Sequence, residues 1–205
     1  RLMMDRVVPG GLAGDIAPAG VEALSRLVRL VRRRFPELVA VYDNAASLQD
    51  RTVTTGFVKP ELVRRFGAGG HVGRASGRAF DTRKVLAYAP YDKLRFEAPV
   101  REDGDVNARL WIRVLEIEQS LGLIEQIADA LPAGSVAVAP PSATNGAAEG
   151  AAMIEAFRGD AFVWLRLGPD GRIARCHLRD ASWFQWPLLE AAIEEATTAT
   201  GEQSL

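Results

Sequence analysis

The sequence contains very little cysteine, since Cys176 is the one cysteine among 205 residues. A single thiol cannot form an intramolecular disulfide, and this usage is typical of a reducing compartment. It also excludes a metal centre that takes several thiolates from this chain, because nickel and iron in such centres need several sulfur donors. The two histidines, His71 and His177, have no cysteine or carboxylate partners at ligand spacing, so we expect no zinc site.

An excess of one charge and a long apolar run are also missing. Acidic and basic residues number 26 and 25, so no net field would attract nucleic acid or an anionic membrane. The sequence has no run of about eighteen uncharged apolar residues, and it therefore predicts no direct membrane span. The first residues lack the apolar core of a signal peptide, and residue 1 is arginine, so we expect a trimmed start.

Hydrophobic residues make up 48% of the chain, which is enough for a sizeable core. Apolar residues at helical spacing predict a long helix from Pro18, which Pro36 should kink or split. A short helix is predicted over 60–66, and the chain from there to Val100 looks irregular and extended. The most regular apolar spacing lies over 106–131 and predicts a helix packed along another helix.

The last third of the chain predicts a hairpin and a helix. The runs 161–167 and 172–178 flank a turn sequence, Gly-Pro-Asp-Gly, and their alternation indicates two paired strands. On this pattern Cys176 should be a buried small hydrophobe. A final helix should begin near Pro187.

These predictions combine into a single domain over 1–205. It has a helical part over about 1–134, a flexible loop over about 135–152, and a hairpin with a terminal helix over about 153–205. The loop boundary follows from a stretch rich in small residues, proline and glycine.

A first motif runs from Gly70 to Arg83 and combines permissive glycines with arginines and Asp81. Such a segment can hold an anion, or it can be a structural turn fixed by arginine–aspartate pairs. A phosphate-binding loop is excluded because the Lys-Ser/Thr pair after the glycines is absent. Ser76 does not lie in a Gly-x-Ser-x-Gly elbow, so it is not indicated as a nucleophile.

A second motif, 155–160, precedes the first hairpin strand. An arginine beside a glycine at this place, Arg158, can direct its guanidinium into a pocket, and a surface ion pair is the alternative interpretation. The sequence shows no combination of nucleophile, base and orienting group, so an independent soluble enzyme is not indicated.

Taken in order, several segments resemble those of large subunits of nickel-iron hydrogenases of the group 4 type, the hydrogenase-4 and formate-hydrogenlyase type. These are relatives of the 49 kDa subunit of complex I, the NADH:quinone dehydrogenase. The matching elements are Arg-Thr-x-x-x-Gly at 51–56, Arg-Gly/Ala-Ser-Gly…Asp-x-Arg at 74–83, Pro-Tyr-Asp at 90–92, Glu-x-Pro-Arg/Lys-Gly-Glu at 155–160 and Arg-Cys-His-x-Arg-Asp-Pro-Ser-Trp-x-x-Trp-Pro at 175–187. Phe157 and Asp160 stand where the family usually has proline and glutamate.

The resemblance implies a fold and residue roles. The fold would be α+β and mostly α, with long packed helices and a small antiparallel hairpin or sheet. Arg158 would be catalytic, because the matching arginine in related hydrogenases overhangs the metal site, where a guanidinium can orient reactants or assist proton transfer. Other matched residues would contact a partner subunit or form structural motifs. These are Arg51, Arg74, Ser76, Asp81, Arg83, Asp92, Glu155 and Asp160.

The resemblance also implies cofactors and partners. The family holds its nickel-iron centre with two Cys-x-x-Cys pairs, and this chain has neither. We therefore expect no cofactor in this chain, and such a centre in the parent protein only if upstream and downstream cysteine pairs exist. The implied partners are an iron-sulfur small subunit and the membrane subunits of an energy-converting complex. Through them the chain would lie in the cytoplasm at the inner face of the cell membrane.

Two functional expectations follow from the resemblance and the cysteine count. The first is a C-terminal fragment of a complex-I-like hydrogenase or NADH dehydrogenase large subunit, taking part in hydrogen- or quinone-linked electron transfer and inactive alone. The alternative is a metal-free structural or interaction subunit of a membrane-bound redox complex.

Overall fold

The computed structural model describes residues 6–139 and 148–202, with side chains described as far as Glu194. Within these ranges two long helices pack together, and a three-stranded sheet packs beside short helices and a C-terminal helix. The elements in chain order are β1 (Val7–Val8), β2 (Gly11–Leu12), α1 (Pro18–Asp43), α2 (Ala46–Thr52), α3 (Pro60–Phe66), α4 (Gly70–Ala75), α5 (Thr82–Val85), α6 (Val106–Asp129), β3 (Ala148–Ala156), β4 (Gly159–Leu167), β5 (Ile173–Arg179) and α7 (Ser182–Glu202).

Helix α1 begins at Pro18 as predicted and passes through Pro36 without being split. A proline inside a helix removes one backbone donor, and here the remaining hydrogen bonds carry the helix on to its end at Asp43. The helix packs on α6, where the Tyr42 hydroxyl donates to the side-chain oxygen of Asn107 at 2.8 Å. These contacts fix the two longest helices side by side.

Helix α6 confirms the most regular apolar pattern of the sequence. Its start is fixed by Asp105, whose two carboxylate oxygens accept from the backbone N–H groups of Ala108 and Thr54, each at 2.7 Å. The carboxylate thus satisfies one of the free donors at the helix start and joins the helix to the preceding loop. The helix ends at Asp129, before the predicted end at Leu131.

Helix α3 also has the predicted bounds, and Gly67 ends it in the left-handed conformation at φ 65°. The expectation of an irregular chain from there to Val100 is wrong in part, because α4 and α5 lie in this stretch. Both helices have fewer than two full turns, which is too short for an apolar period to show in the sequence. Asp81 starts α5 by accepting from the N–H of Arg83 at 3.0 Å.

The sheet has the order β3-β4-β5 and is antiparallel throughout. The predicted hairpin of β4 and β5 is confirmed, with an irregularity at Arg166 and Leu167. Strand β3 differs from the expectation, because residues 148–152 belong to the predicted loop and are extended here. The central residues of that predicted loop, 140–147, lie outside the described residues.

The prediction that Cys176 is buried is wrong, because its side chain is exposed. Cys176 lies opposite Leu165, and the neighbouring pair on the same face is Val163 and Leu178. Leu178 is 61% exposed, so in the described part of the chain this apolar face is open. The alternation correctly indicates one apolar face, but that face is not the core.

Helix α7 begins at Ser182, five residues before the predicted start at Pro187. The Asp180 carboxylate accepts from the N–H of Ser182 at 3.2 Å and so fixes the start. Farther along the helix, Leu188 is buried in a core with Leu62 and Val63 of α3. None of the helices in the described ranges combines the length and the apolar character needed to cross a bilayer.

Candidate functional site

The first motif forms a buried ion cluster around Arg74, which is 2% exposed. One guanidinium nitrogen, Nη1, donates to Asp81 Oδ2 at 3.3 Å and to Glu155 Oε1 at 3.0 Å. The other terminal nitrogen, Nη2, donates to Glu116 Oε1. Three carboxylates from α6, β3 and the start of α5 therefore share one buried cation.

Arg83 completes the pairing of Asp81, donating from Nε at 2.9 Å and from Nη2 at 2.7 Å. Burial alone would raise the pKa of Asp81, but the hydrogen bonds and charges of Arg83 and Arg74 outweigh it, so this pKa lies below its ordinary value. Asp81 is thus held as a carboxylate. This geometry matches the arginine–aspartate turn rather than an anion site.

Glu155 connects this cluster to the sheet. Its Oε1 accepts from Arg74, and its Oε2 accepts from the N–H of Thr82 at 3.0 Å. Its own N–H donates to the Tyr88 hydroxyl at 3.3 Å. The end of β3, shortly before Arg158, is therefore fixed to the helical part of the chain.

The turn between β3 and β4 carries Arg158, and its backbone lies against the start of α4. A Cβ atom on Gly70 would be 2.2 Å from the carbonyl oxygen of Arg158, and one on Gly159 would be 3.1 Å from the N of Gly70. Only glycine permits such an approach of two backbones, and Gly70 also has a positive φ of 61°. Two motifs that lie far apart in the sequence meet here.

The same turn contacts helix α7. The side-chain amide of Gln185 donates to the carbonyl oxygen of Arg158 at 2.7 Å. Next to it, Asp160 is 4% exposed and pairs with Arg179 of β5. The guanidinium of Arg179 lies 4.7 Å from the ring centroid of Phe184 in α7. The Arg158 side chain itself is exposed.

Arg158 borders a cleft of about 1000 Å³ between α3, α7 and the loop before α3. Most of its lining is apolar, and Arg158, Arg109 and Lys59 supply the charged groups. Arg109 donates to the carbonyl oxygens of Gly104 and Gly56 at 2.8 and 2.9 Å. Burial lowers its pKa against the opposing effect of Asp105, as expected for a guanidinium withdrawn from water. The apolar wall includes Phe57, Val58, Leu62, Val72, Trp186, Leu188, Leu189, Ala192 and Ile193.

His71 lies among the arginines of this region. Burial, together with the charges of Arg113, Arg74, Arg109 and Arg158, lowers the pKa of His71 to about 4, so the ring is neutral at neutral pH. Its ring lies 6.4 Å from that of Phe157. Nδ1 is buried and has no hydrogen-bond partner among the described residues.

The structure brings together most of the predicted site residues and leaves others apart. Arg74, Asp81, Arg83 and Glu155 form the ion cluster, and Arg158 and Asp160 follow at the adjoining turn. Arg51 is exposed in the last turn of α2, and Asp92 is exposed in the loop after α5. Ser76 is buried, and its hydroxyl has no hydrogen-bond partner within the described ranges.

Two residues of the site are not indicated by the sequence. Glu116 lies in the middle of α6 and turns toward Arg74. In the sequence Glu116 is a carboxylate within the apolar pattern of a helix. Periodicity alone does not show whether such a carboxylate is buried or exposed to water. Gln185 lies between the two tryptophans of the last motif, and a neutral side chain there gives no chemical signal.

The residues at this site do not fit a nickel-iron centre. The described lining of the cleft contains no cysteine, histidine or carboxylate. In residues 6–139 and 148–194, where side chains are described, no three His, Cys, Asp or Glu side chains form a group that could hold a metal ion. The single cysteine, Cys176, lies exposed on β5. The thiolates of such a centre would have to come from outside this sequence.

Comparison with known proteins gives a family match over most of the chain. Residues 1–149 match the family described as the 49 kDa subunit of respiratory-chain NADH dehydrogenase. This range contains the helical part and the whole first motif. It ends before the turn that carries Arg158.

Individual relatives extend the match through the sheet. An NADH-quinone oxidoreductase subunit of Syntrophobacter fumaroxidans is 35% identical over 85% of this chain. Formate hydrogenlyase subunit 5 of Escherichia coli and the carbon monoxide-induced hydrogenase of Rhodospirillum rubrum are each 31% identical, over 93% and 96% of this chain. The chain covers 47%, 33% and 54% of the lengths of these three relatives.

A solved structure shares the fold. A chain of the membrane-bound sulfane sulfur reductase, an archaeal respiratory membrane complex, aligns with a TM-score of 0.78 and 29% identity. The alignment covers 85% of this chain and 49% of that one. The α+β fold that the resemblance implied is thereby confirmed.

Proposed function

The chain belongs to the family of the 49 kDa subunit of respiratory-chain NADH dehydrogenase, and from that membership we propose that it forms part of the large subunit of a membrane-bound redox complex. The proposed process is electron transfer linked to hydrogen or quinone, as the names of the relatives suggest. Its partners would be an iron-sulfur subunit and membrane subunits, at the inner face of the cell membrane. The chain covers about half or less of these relatives, so we propose that it is inactive alone.

Within that subunit we propose Arg158 as the residue that acts on the reactants. The observation that carries this assignment is the combination of an exposed side chain at an apolar cleft with a backbone held by two contacts, one with Gly70 and one with Gln185. A guanidinium keeps its charge at any physiological pH and can donate several hydrogen bonds in a fixed plane. Once reactants fill the apolar cleft and exclude water, its field would be screened less than in bulk water, so it could stabilise developing negative charge.

We propose that the ion cluster supports this role indirectly, by holding the strand that leads to Arg158. Arg74 and Glu155 fix the end of β3, and the turn with Arg158 follows directly. We propose that Arg74, Asp81, Arg83 and Glu155 are structural, because their charges are paired with one another and buried. Asp160 would have the same role at the start of β4, through Arg179.

The experiment is the substitution Arg158→Lys in the intact parent complex, followed by turnover measurements with its electron donor and acceptor. Lysine keeps the charge and loses the planar set of donors, so we expect turnover to fall by about 10²-fold. Arg64→Lys is the matched control, because Arg64 is an exposed arginine paired with Glu61 on α3. Equal turnover of the two variants, with both complexes assembled, would make Arg158 structural.

A second candidate function is a metal-free scaffold subunit of the same kind of complex. The single cysteine and the absence of thiolates from the described cleft favour it. Two measurements distinguish the two candidate functions. One is nickel and iron analysis of the parent protein, and the other is the gene sequence on both sides of this region. Stoichiometric metal and two Cys-x-x-Cys pairs support the catalytic large subunit, and an assembled complex without either supports the scaffold.

A further inference from the structure

We infer that Gln185 is a positioning residue for Arg158, acting through the carbonyl oxygen of the Arg158 peptide. The inference rests on the proposed function, because it concerns how the turn between β3 and β4 is held at the cleft. Gln185 and Arg158 both line that cleft. The bond between them joins residues that are 27 positions apart, on different elements.

The hydrogen bond is short and lies in a solvent-exposed position. The Gln185 amide donates from Nε2 to the Arg158 carbonyl oxygen at 2.7 Å. Gln185 is half-buried, and it lies in the first turn of α7, which begins at Ser182. A neutral amide at this place can hold a backbone carbonyl without adding charge beside the guanidinium of Arg158.

The same peptide is also held by backbone contact. Gly69 and Gly70 lie so close to Arg158 and Gly159 that a Cβ on Gly70 would overlap the Arg158 carbonyl carbon at 2.4 Å. A Cβ on Gly159 would also lie 3.2 Å from that of Ala181, just before α7. The Arg158 peptide therefore lies between α4 and the start of α7. Gln185 is its polar contact on the α7 side.

The first turn of α7 packs against the sheet, which places the backbone of Gln185 beside the turn between β3 and β4. Trp183 packs edge-on against His177, with ring centroids 5.7 Å apart. Phe184 lies under the guanidinium of Arg179, which pairs with Asp160 at the base of the turn. Because Gln185 follows these residues directly, its backbone lies close to the sheet and to the turn that its side chain contacts.

Loss of this one bond should allow the turn to move relative to the cleft, while the ion cluster and the glycine contacts keep the fold. A displacement of about 1 Å in a positioned group can lower a rate by about 10²-fold. We expect a smaller loss here, of about tenfold, because the backbone contact with Gly70 remains.

The test is the near-isosteric substitution Gln185→Glu in the intact parent complex. At neutral pH the carboxylate cannot donate to a carbonyl oxygen, so the bond is lost without a change in size. Because the carboxylate also adds a charge near Arg158, Gln185→Met, which removes the donor and adds no charge, is measured beside it and should show the same loss. Gln126→Glu is the matched control, since Gln126 on α6 also bonds a backbone segment, donating to the Arg95 carbonyl oxygen at 2.8 Å, outside the cleft. We expect about tenfold lower turnover for Gln185→Glu and unchanged turnover for Gln126→Glu, with similar unfolding temperatures.

The double variant with Arg158→Lys distinguishes positioning from a general structural role. If Gln185 acts through Arg158, adding Gln185→Glu to Arg158→Lys should lower turnover by less than about twofold beyond the single lysine variant. If the losses of the two single variants multiply in the double variant, the positioning role is overturned. It is also overturned if Gln185→Glu keeps full turnover while Arg158→Lys loses activity. Either result leaves the proposed function intact. Unchanged turnover in Arg158→Lys would overturn the proposed function itself. If Gln185→Glu does not assemble, Gln185→Asn, which shortens the amide by one methylene, is measured against the same expectations.

Discussion

A Cβ atom on Gly70 would lie 2.2 Å from the carbonyl oxygen of Arg158, so the start of α4 and the turn between β3 and β4 meet backbone to backbone. Gly70→Ala should therefore destabilise the chain by about 3 kcal/mol, through overlap and through a left-handed φ. Urea denaturation measures this loss.

The control for that substitution is Gly67→Ala. Gly67 has nearly the same φ, 65°, and a Cβ atom added to it would have nothing within 4 Å, so the substitution isolates the conformational cost of about 1 kcal/mol. Similar losses for the two variants would show that the close approach at Gly70 does not exist in solution.

Replacing Arg74 should be the most damaging single change in the ion cluster. Arg74→Met leaves the carboxylates of Asp81, Glu116 and Glu155 without their shared cation in a buried place, at an expected cost of about 3 to 5 kcal/mol. Arg64→Met, which breaks an exposed pair, should change the free energy of unfolding by less than about 0.5 kcal/mol. A small effect at Arg74, measured by urea denaturation, would contradict the buried cluster.

Stability should depend on pH through His71. The folded state holds its pKa at about 4, mainly by burial and then by nearby arginines, whereas the unfolded value is near 6.5. The unfolded chain therefore binds a proton first, and stability should fall as the pH decreases from about 6.5 toward 4.

The measurement is the urea midpoint at several pH values between neutral and about pH 5, where carboxylates contribute less. His71→Asn should show a shallower fall than the unsubstituted chain. His177→Asn keeps His71 and should keep the original slope. If His71→Asn leaves the slope unchanged, the pH dependence of stability arises from other titrating groups.

The exposed thiol of Cys176 should react with a disulfide reagent such as DTNB in the native chain. We expect release of about one thiolate equivalent per chain without denaturant, because the side chain is exposed on β5. Cys176→Ser should abolish the reaction and change stability little. Reaction that begins only in urea would mean that this face of the sheet is covered.

The sequence alone predicts those helices whose ends are set by residues close to them in the chain. Pro60 and Gly67 bound α3, and Asp105 starts α6, because proline, a left-handed glycine and a capping carboxylate act within a few residues. Strand β3 is not predictable in this way because alanine and glycine dominate it, and it owes its conformation to nine residue pairs with β4. Contacts of that kind are not visible in a local pattern.

The candidate site is predictable to a similar degree. The arginine–aspartate turn at Asp81 follows from residues seven or fewer positions apart. The meeting of Gly70 with Arg158, and of Gln185 with the same peptide, depends on how the sheet lies against α4 and α7. The burial expected for Cys176 is wrong for a related reason, since alternation shows that a face is apolar but not what lies on it.

The shared cation at Arg74 has a consequence for how the chain unfolds. Its three acidic partners come from segments up to 81 positions away, so all three reach it only when the start of α5, α6 and β3 have come together around α4. Separating the sheet from the helices would take Glu155 away from Arg74 and break a buried ion pair. We therefore expect the two parts to melt in a single transition, and a cut between residues 135 and 147 to weaken both halves.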